Sequence, residues 1–250
     1  MEVEHKTVLL TGATGGLGRA IAEALAARGA TLVLSSRKPE ELDALARALP
    51  GEGHRRIVGD FADPTAAEQL AAEAGAVDAL VANAGLGANG RIDKFEPERI
   101  ELVVRVNLEA PIRLARALAP AMRERGSGQM VFVSSLAGKA ATANGALYTA
   151  TKAGLRGFAL SLRQDLARDG VGVSVVCPGF IREAGLFADS GRTPPMKLGT
   201  SAPREVGDAV VAAIERDRPE IDVAPRRQRL LANFAGRHPH LIARISGRSG

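Results

Sequence analysis

The chain has 250 residues, of which 46 % are apolar, 24 % charged and 3 % aromatic, with a formal net charge of +5 at pH 7. One hydrophobic core can organise that length, the usage is that of a globular protein, and no apolar run reaches the roughly 18 residues a membrane span needs. The start, MEVEHK, lacks the basic and then apolar pattern of a secretory signal, and the single cysteine, Cys177, sits in a buried-strand context (VSVVCPG) with no thiol to pair with. The expectation is one domain over 1–250 in a reducing cytoplasm.

In chain order the first predicted element is a strand at 7–11 (TVLLT), which runs directly into Thr11, Gly12, Ala13, Thr14, Gly15, Gly16, Leu17 and Gly18 and then a helix at 16–28. A plain strand-to-helix turn needs one or two glycines. This cluster instead presents backbone amides and a helix N-terminus, the arrangement that receives phosphate. The second strand, 30–35, ends beside Ser36, where a site for NAD places an acid to bind the ribose hydroxyl. Ser36, Arg37 and Lys38 offer a hydroxyl and cations there, which suit a 2′-phosphate, so NADP(H) is preferred over NAD(H).

A helix at 39–49, a strand at 54–60, a helix at 64–75 and a strand at 77–85 follow. A long helix is predicted over 97–125, with Asn107 in its middle, where asparagine is a poor helix former and needs another reason such as a local kink or a bound water. The strand at 128–135 ends on Ser134 and Ser135, at the carboxyl edge where open α/β sheets bind ligands. The helix at 147–169 carries Tyr148, the chain's single tyrosine, and Lys152 four residues later on the same face. An ammonium about 4 Å from the phenol, at an effective dielectric near 20, would favour the phenolate by about 4 kcal/mol, or roughly three pKa units.

After a strand at 171–179 comes a stretch at 182–201 rich in Gly, Pro and Ser, read as a functional loop or lid. A helix at 203–217 and a strand at 220–225 complete the pattern. The tail, 225–250, holds six arginines and no acid, with Leu230, Leu231, Phe234, Leu241, Ile242 and Ile245 interspersed. The favoured reading is a docked helix with a solvated basic face, ahead of one lying on an anionic membrane. Strands nearly continuous in apolar residues, each followed by a helix, imply a Rossmann-like, doubly wound parallel sheet of about seven strands with helices on both faces.

Taken together, TGATGGLG at 11–18, Asp60, Asn83-Ala84-Gly85, Asn107, Ser135, YTATK at 148–152 and CPG at 177–179 resemble the short-chain dehydrogenase/reductase family, in its branch of about 250 residues. The resemblance implies that Tyr148 is the catalytic acid or base, that Lys152 lowers its pKa and holds the nicotinamide ribose, that Ser135 orients the substrate oxygen and that Asn107 holds a water. It implies that Asp60 and Phe61 flank the adenine, that Asn83, Ala84 and Gly85 line the cofactor, and that Pro178, Gly179 and Ile181 contact the nicotinamide amide. It further implies a homodimer or homotetramer built on the helices at 97–125 and 147–169.

Three features depart from the family pattern. The glycine spacing also satisfies that of the longer epimerase-like branch, whose added substrate domain this chain is too short to hold. Arg182 and Glu183 stand where a threonine often follows PGFI. The glycine-rich closing strand of the ketoacyl-carrier-protein reductases is replaced by EIDVAPRRQRLL. Leu136, Phe180, Leu186, Phe187, Met196 and Leu198 suggest an apolar ketone, aldehyde or alcohol as substrate, with a 3-oxoacyl thioester as the alternative. An NADP-binding sensor or scaffold without turnover is the competing reading. Few aromatic residues and no binding motif argue against nucleic acid, and His238-Pro239-His240, without carboxylate or thiol neighbours, argues against a metal site.

Overall fold

The computed structural model describes residues 1–185, 198–238 and 240. Seven parallel strands form one sheet in the order β3-β2-β1-β4-β5-β6-β7. The strands are β1 (Thr7–Thr11), β2 (Thr31–Ser36), β3 (Arg55–Val58), β4 (Ala79–Ala82), β5 (Gly128–Val133), β6 (Val171–Pro178) and β7 (Glu220–Val223). All residues of β4 and β5 are buried. Burial on both faces is why these segments read as unbroken apolar runs rather than as an alternation.

Two apolar layers sandwich the sheet. Leu10, Leu34 and Val81 project to one side, against α1 (Gly16–Ala26), α2 (Pro39–Ala48) and α7 (Pro203–Arg216). Leu9, Leu80 and Phe132 project to the other, against α3 (Ala66–Ala74), α5 (Ala110–Arg125) and α6 (Ala146–Leu166). The order reverses between β1 and β4, so the crevice outside their carboxyl ends is where a ligand fits such a sheet. The glycine loop after β1 and the Asn83 segment after β4 meet there.

The helix expected over 97–125 is interrupted. Pro97–Val104 form α4, Arg105–Glu109 a π turn, and Ala110 onward α5. The cause is local, because Pro111 has no N–H and so deprives the Asn107 carbonyl of its ordinary donor four residues on. Meanwhile the Asn107 side chain turns away to the backbone of Leu86. The basic tail does form a docked helix in its first part, α8 (Arg226–Arg237). Among the described residues no helix is long and apolar enough to cross a membrane.

Candidate active site

The glycine loop is shaped by close approach. Gly12 has φ +64°, and a Cβ there would lie 2.8 Å from the Ala84 Cα. At Gly18 a Cβ would lie 2.1 Å from the Gly12 carbonyl oxygen, so α1 can start this close to β1 only without a side chain. Gly15 caps α1 with no side-chain hydrogen bond, and no acid occupies the first turn. The first amides of α1 therefore keep their donor capacity and their positive dipole end. These features fit the pyrophosphate of a dinucleotide.

At the end of β2 the Thr14 hydroxyl donates to the Ser36 hydroxyl at 3.0 Å, and the Lys38 amide donates to the same oxygen at 3.1 Å. Lys38 and Arg19 both pair with Glu41. Arg37 is exposed and pairs with no carboxylate. Among the described residues Arg37 is thus the cation beside Ser36 that pairs with no carboxylate. Asp60 is exposed and binds the Ala62 amide, and Phe61 is buried beneath it.

Asn83 ties β4 to β1. Its side-chain amide donates to the carbonyls of Thr11 and Gly12, while the Thr11 hydroxyl accepts from the amides of Asn83 and Ala84. Two residues on, a Cβ on Gly85 would meet Asn107 Oδ1 at 3.4 Å and Lys152 Nζ at 3.5 Å. Asn107 is fully buried, accepting from the Leu86 amide at 2.7 Å and donating to the Leu86 carbonyl at 2.9 Å. Its amide also reaches the Thr151 hydroxyl at 3.3 Å, on the helix that carries Lys152. The π turn therefore brings Asn107 against both the Leu86 backbone and α6.

Tyr148 and Lys152 share the inner face of α6, as their spacing requires. The Tyr148 ring is half-buried and its hydroxyl neighbours that of Ser135. Loss of solvation pushes the phenol up to about 12, against a smaller downward pull from Ser135. Lys152 is buried, with Nζ donating to the Val133 carbonyl at 3.0 Å and standing 5.9 Å from the centre of the Tyr148 ring. Burial lowers its ammonium to about 8. The close contact of about 4 Å expected from sequence is thus not the arrangement observed: Val133 holds Nζ, which stands 5.9 Å from the ring centre, and desolvation dominates at the neutral phenol. Ser134 is committed to the Lys152 carbonyl at 2.8 Å, which leaves Ser135 as the serine that faces Tyr148.

A cavity of about 500 Å³ opens from these hydroxyls. Ser135, Leu136, Tyr148, Pro178, Gly179, Phe180, Ile181 and Leu198 line it, together with Ala137, Ala140 and Ala143 from the segment between β5 and α6. Leu186, Phe187 and Met196, expected near the substrate, lie outside the described residues. Arg182 and Glu183 pair with each other at 3.2 Å on the exposed side. Cys177 is buried and its thiol is raised to about 12, chiefly by desolvation, which keeps it protonated.

Sequence reasoning missed the wall supplied by α8. Gln228, Leu231, Ala232 and Ala235 line the cavity. Gln228 is buried, accepts from the Phe180 amide at 3.1 Å and donates to the Gly199 carbonyl at 2.6 Å, joining both stems of the 182–201 segment to α8. A signal existed: Gln228 is a neutral polar residue among arginines, four residues before Ala232 on the face opposite Phe234. Gln228→Ala removes the side-chain hydrogen bonds to the Phe180 amide and the Gly199 carbonyl, which costs about 1 kcal/mol and lowers the thermal midpoint by about 2–4 °C. Calorimetry of the variant checks this, and an unchanged midpoint would show that the amide is not a structural tie.

Comparison with known proteins follows the same lines. The family model described as short chain dehydrogenase matches residues 6–193. The chain is 40 % identical over 225 residues to the ketoacyl reductase HetN of Nostoc sp. strain PCC 7120, covering 87 % of this chain and 78 % of that protein. It is 34 % identical over 225 residues to the 3-oxoacyl-[acyl-carrier-protein] reductase FabG of Escherichia coli K12, covering 84 % of this chain and 90 % of the relative. A solved short-chain dehydrogenase from Streptomyces avermitilis superposes with a TM-score of 0.81 at 30 % identity, over 98 % of this chain and 96 % of that one. With the motif positions, the sheet order and these similarities in agreement, the chain belongs to the short-chain dehydrogenase family of nicotinamide-dependent oxidoreductases.

Proposed function

We propose that this oxidoreductase uses NADP(H) to interconvert a ketone and an alcohol on an apolar substrate, with a 3-oxoacyl thioester as the first candidate. The observation that carries the reading is the apolar cavity of about 500 Å³ with the Ser135 and Tyr148 hydroxyls at its base. The names of HetN and FabG, both ketoacyl reductases, support the 3-oxo group. The free guanidinium of Arg37 beside Ser36 supports the phosphorylated cofactor.

Gly12, Thr14, Gly15, Gly16, Leu17 and Gly18 would hold the pyrophosphate, Ser36 and Arg37 the 2′-phosphate, and Asp60 and Phe61 the adenine. Asn83, Ala84 and Gly85 would line the ribose side, and Pro178, Gly179 and Ile181 the nicotinamide amide. When bound, the reduced cofactor supplies the hydride for the carbonyl carbon. Ser135 donates a hydrogen bond to the carbonyl oxygen and so polarises it. Tyr148, held protonated by desolvation, gives its hydroxyl proton to that oxygen as the alcohol forms. Lys152 remains largely cationic at neutral pH and stabilises the phenolate left behind. Asn107 fixes the Leu86 backbone and the Thr151 hydroxyl, and so positions Lys152 and would hold the water that returns the proton. A homodimer or homotetramer built on α4, α5 and α6 belongs to the same proposal.

The test follows NADPH absorbance with 3-oxoacyl thioesters of increasing chain length and with apolar ketones. Turnover that improves with chain length supports the reading. A protein that binds NADPH and reduces none of them would instead be a sensor.

A further inference from the structure

Among the described residues, the cluster of buried charges behind β7 is committed. Lys139 and Arg156 pair with Glu220, fastening the segment after β5 and α6 to β7, and this leaves no vacancy for a ligand. The outer face of α8 is different. Leu230, Leu231 and Phe234 are 60 %, 47 % and 46 % exposed, forming the largest concentration of exposed bulky apolar residues among the described residues. Arg226, Arg227 and Arg237 border them, all exposed and none in an ion pair with a described residue, while Arg229 lies on the side of the helix that faces Glu205, Asp208 and Asp222. At helical spacing Arg227, Leu230, Phe234 and Arg237 form one stripe, opposite the buried Gln228 and Ala232.

We propose that α8 docks the protein on an anionic lipid surface, with Leu230 and Phe234 entering the acyl boundary and the arginines meeting lipid phosphates. Three arguments select a bilayer. First, a lone helix with an apolar stripe flanked by arginines and no acid is the pattern of an interfacial helix. Second, three partly exposed side chains offer roughly 300 Å² of apolar surface, judging from the 150–250 Å² that large side chains bury. A stable protein interface takes about 800 Å² from each partner. Third, Leu231 both lines the cavity and belongs to the exposed patch, so the apolar lining of the cavity runs without a break onto this face. An apolar substrate dissolved in the membrane would then reach the site along Leu231 without crossing water.

Docking is separable from turnover, so the test stands whether or not the proposed reaction is correct. The full chain is sedimented with phosphatidylcholine vesicles containing or lacking phosphatidylglycerol. Binding is expected only with phosphatidylglycerol, weakening as salt rises. L230E/F234E and R227E/R237E, which touch neither the cavity lining nor a buried contact, are each expected to lower the bound fraction about tenfold. Both should keep the wild-type thermal midpoint and bind NADPH as before. Failure to sediment with anionic vesicles overturns the proposal, as does equal binding to neutral ones. A dimer that L230E/F234E dissociates, without vesicle binding, also overturns it and assigns the face to a second copy of the chain.

Discussion

Tyr148→Phe is expected to lower kcat by about 10²–10⁴ while leaving NADPH affinity within a few-fold, since general acid catalysis contributes about that much. Phenylalanine keeps the ring and its packing and removes only the hydroxyl, so a fold defect is not expected. Steady-state kinetics with the substrate found by screening, beside NADPH titration by fluorescence, separates the two quantities. A variant as fast as wild type would sink the proton-transfer role. The same chemistry sets a pH dependence. Burial holds Lys152 near 8. Below that value the ammonium is charged and stabilises the phenolate, and above it the charge is lost. The reduction rate is therefore expected to fall as pH rises through about 8 in a pH–rate profile.

Ser36→Asp is expected to reverse cofactor choice. A carboxylate at the end of β2 retains the acceptor role that Ser36 plays for Thr14 and for the Lys38 amide, so the local backbone should persist. It repels a 2′-phosphate and accepts from a ribose hydroxyl. Losing a charge-assisted contact costs about 1.5–3 kcal/mol and repulsion adds to it, so the ratio of kcat/KM for NADPH over NADH should fall by about 10²–10³. Arg37→Ala should move the ratio in the same direction by less, because Ser36 and the Thr14 hydroxyl remain. If wild-type kcat/KM for NADH equals or exceeds that for NADPH, the reading of Ser36 and Arg37 fails.

The residues legible in sequence were those whose role follows from local spacing. Gly12 and Gly18 sit after a strand and before a helix, and each is excluded from carrying a Cβ by its own neighbourhood. Tyr148 and Lys152 are one helical turn apart, which fixes their common face. Asn107 was conspicuous because asparagine weakens a helix, and the interruption is there. The form it takes, a π turn, depends on Pro111 and on the Leu86 backbone 21 residues away.

What sequence alone determined is the parallel α/β sheet, through strands apolar on both faces, and the order of the motifs along it. Only the tertiary structure decided the electrostatics and the walls of the cavity. Val133, on β5, holds the Lys152 ammonium, and desolvation leaves Tyr148 at about 12. No local pattern contains either fact, since both depend on what surrounds a side chain after distant strands have packed. Likewise the sequence reads α8 as a docked helix with a solvated basic face, and only the fold shows what docks it, Gln228 gripping Phe180 and Gly199. The physical reason is the same throughout. Periodicity reports which face of an element is buried, whereas contact between elements remote in sequence decides what a buried group meets.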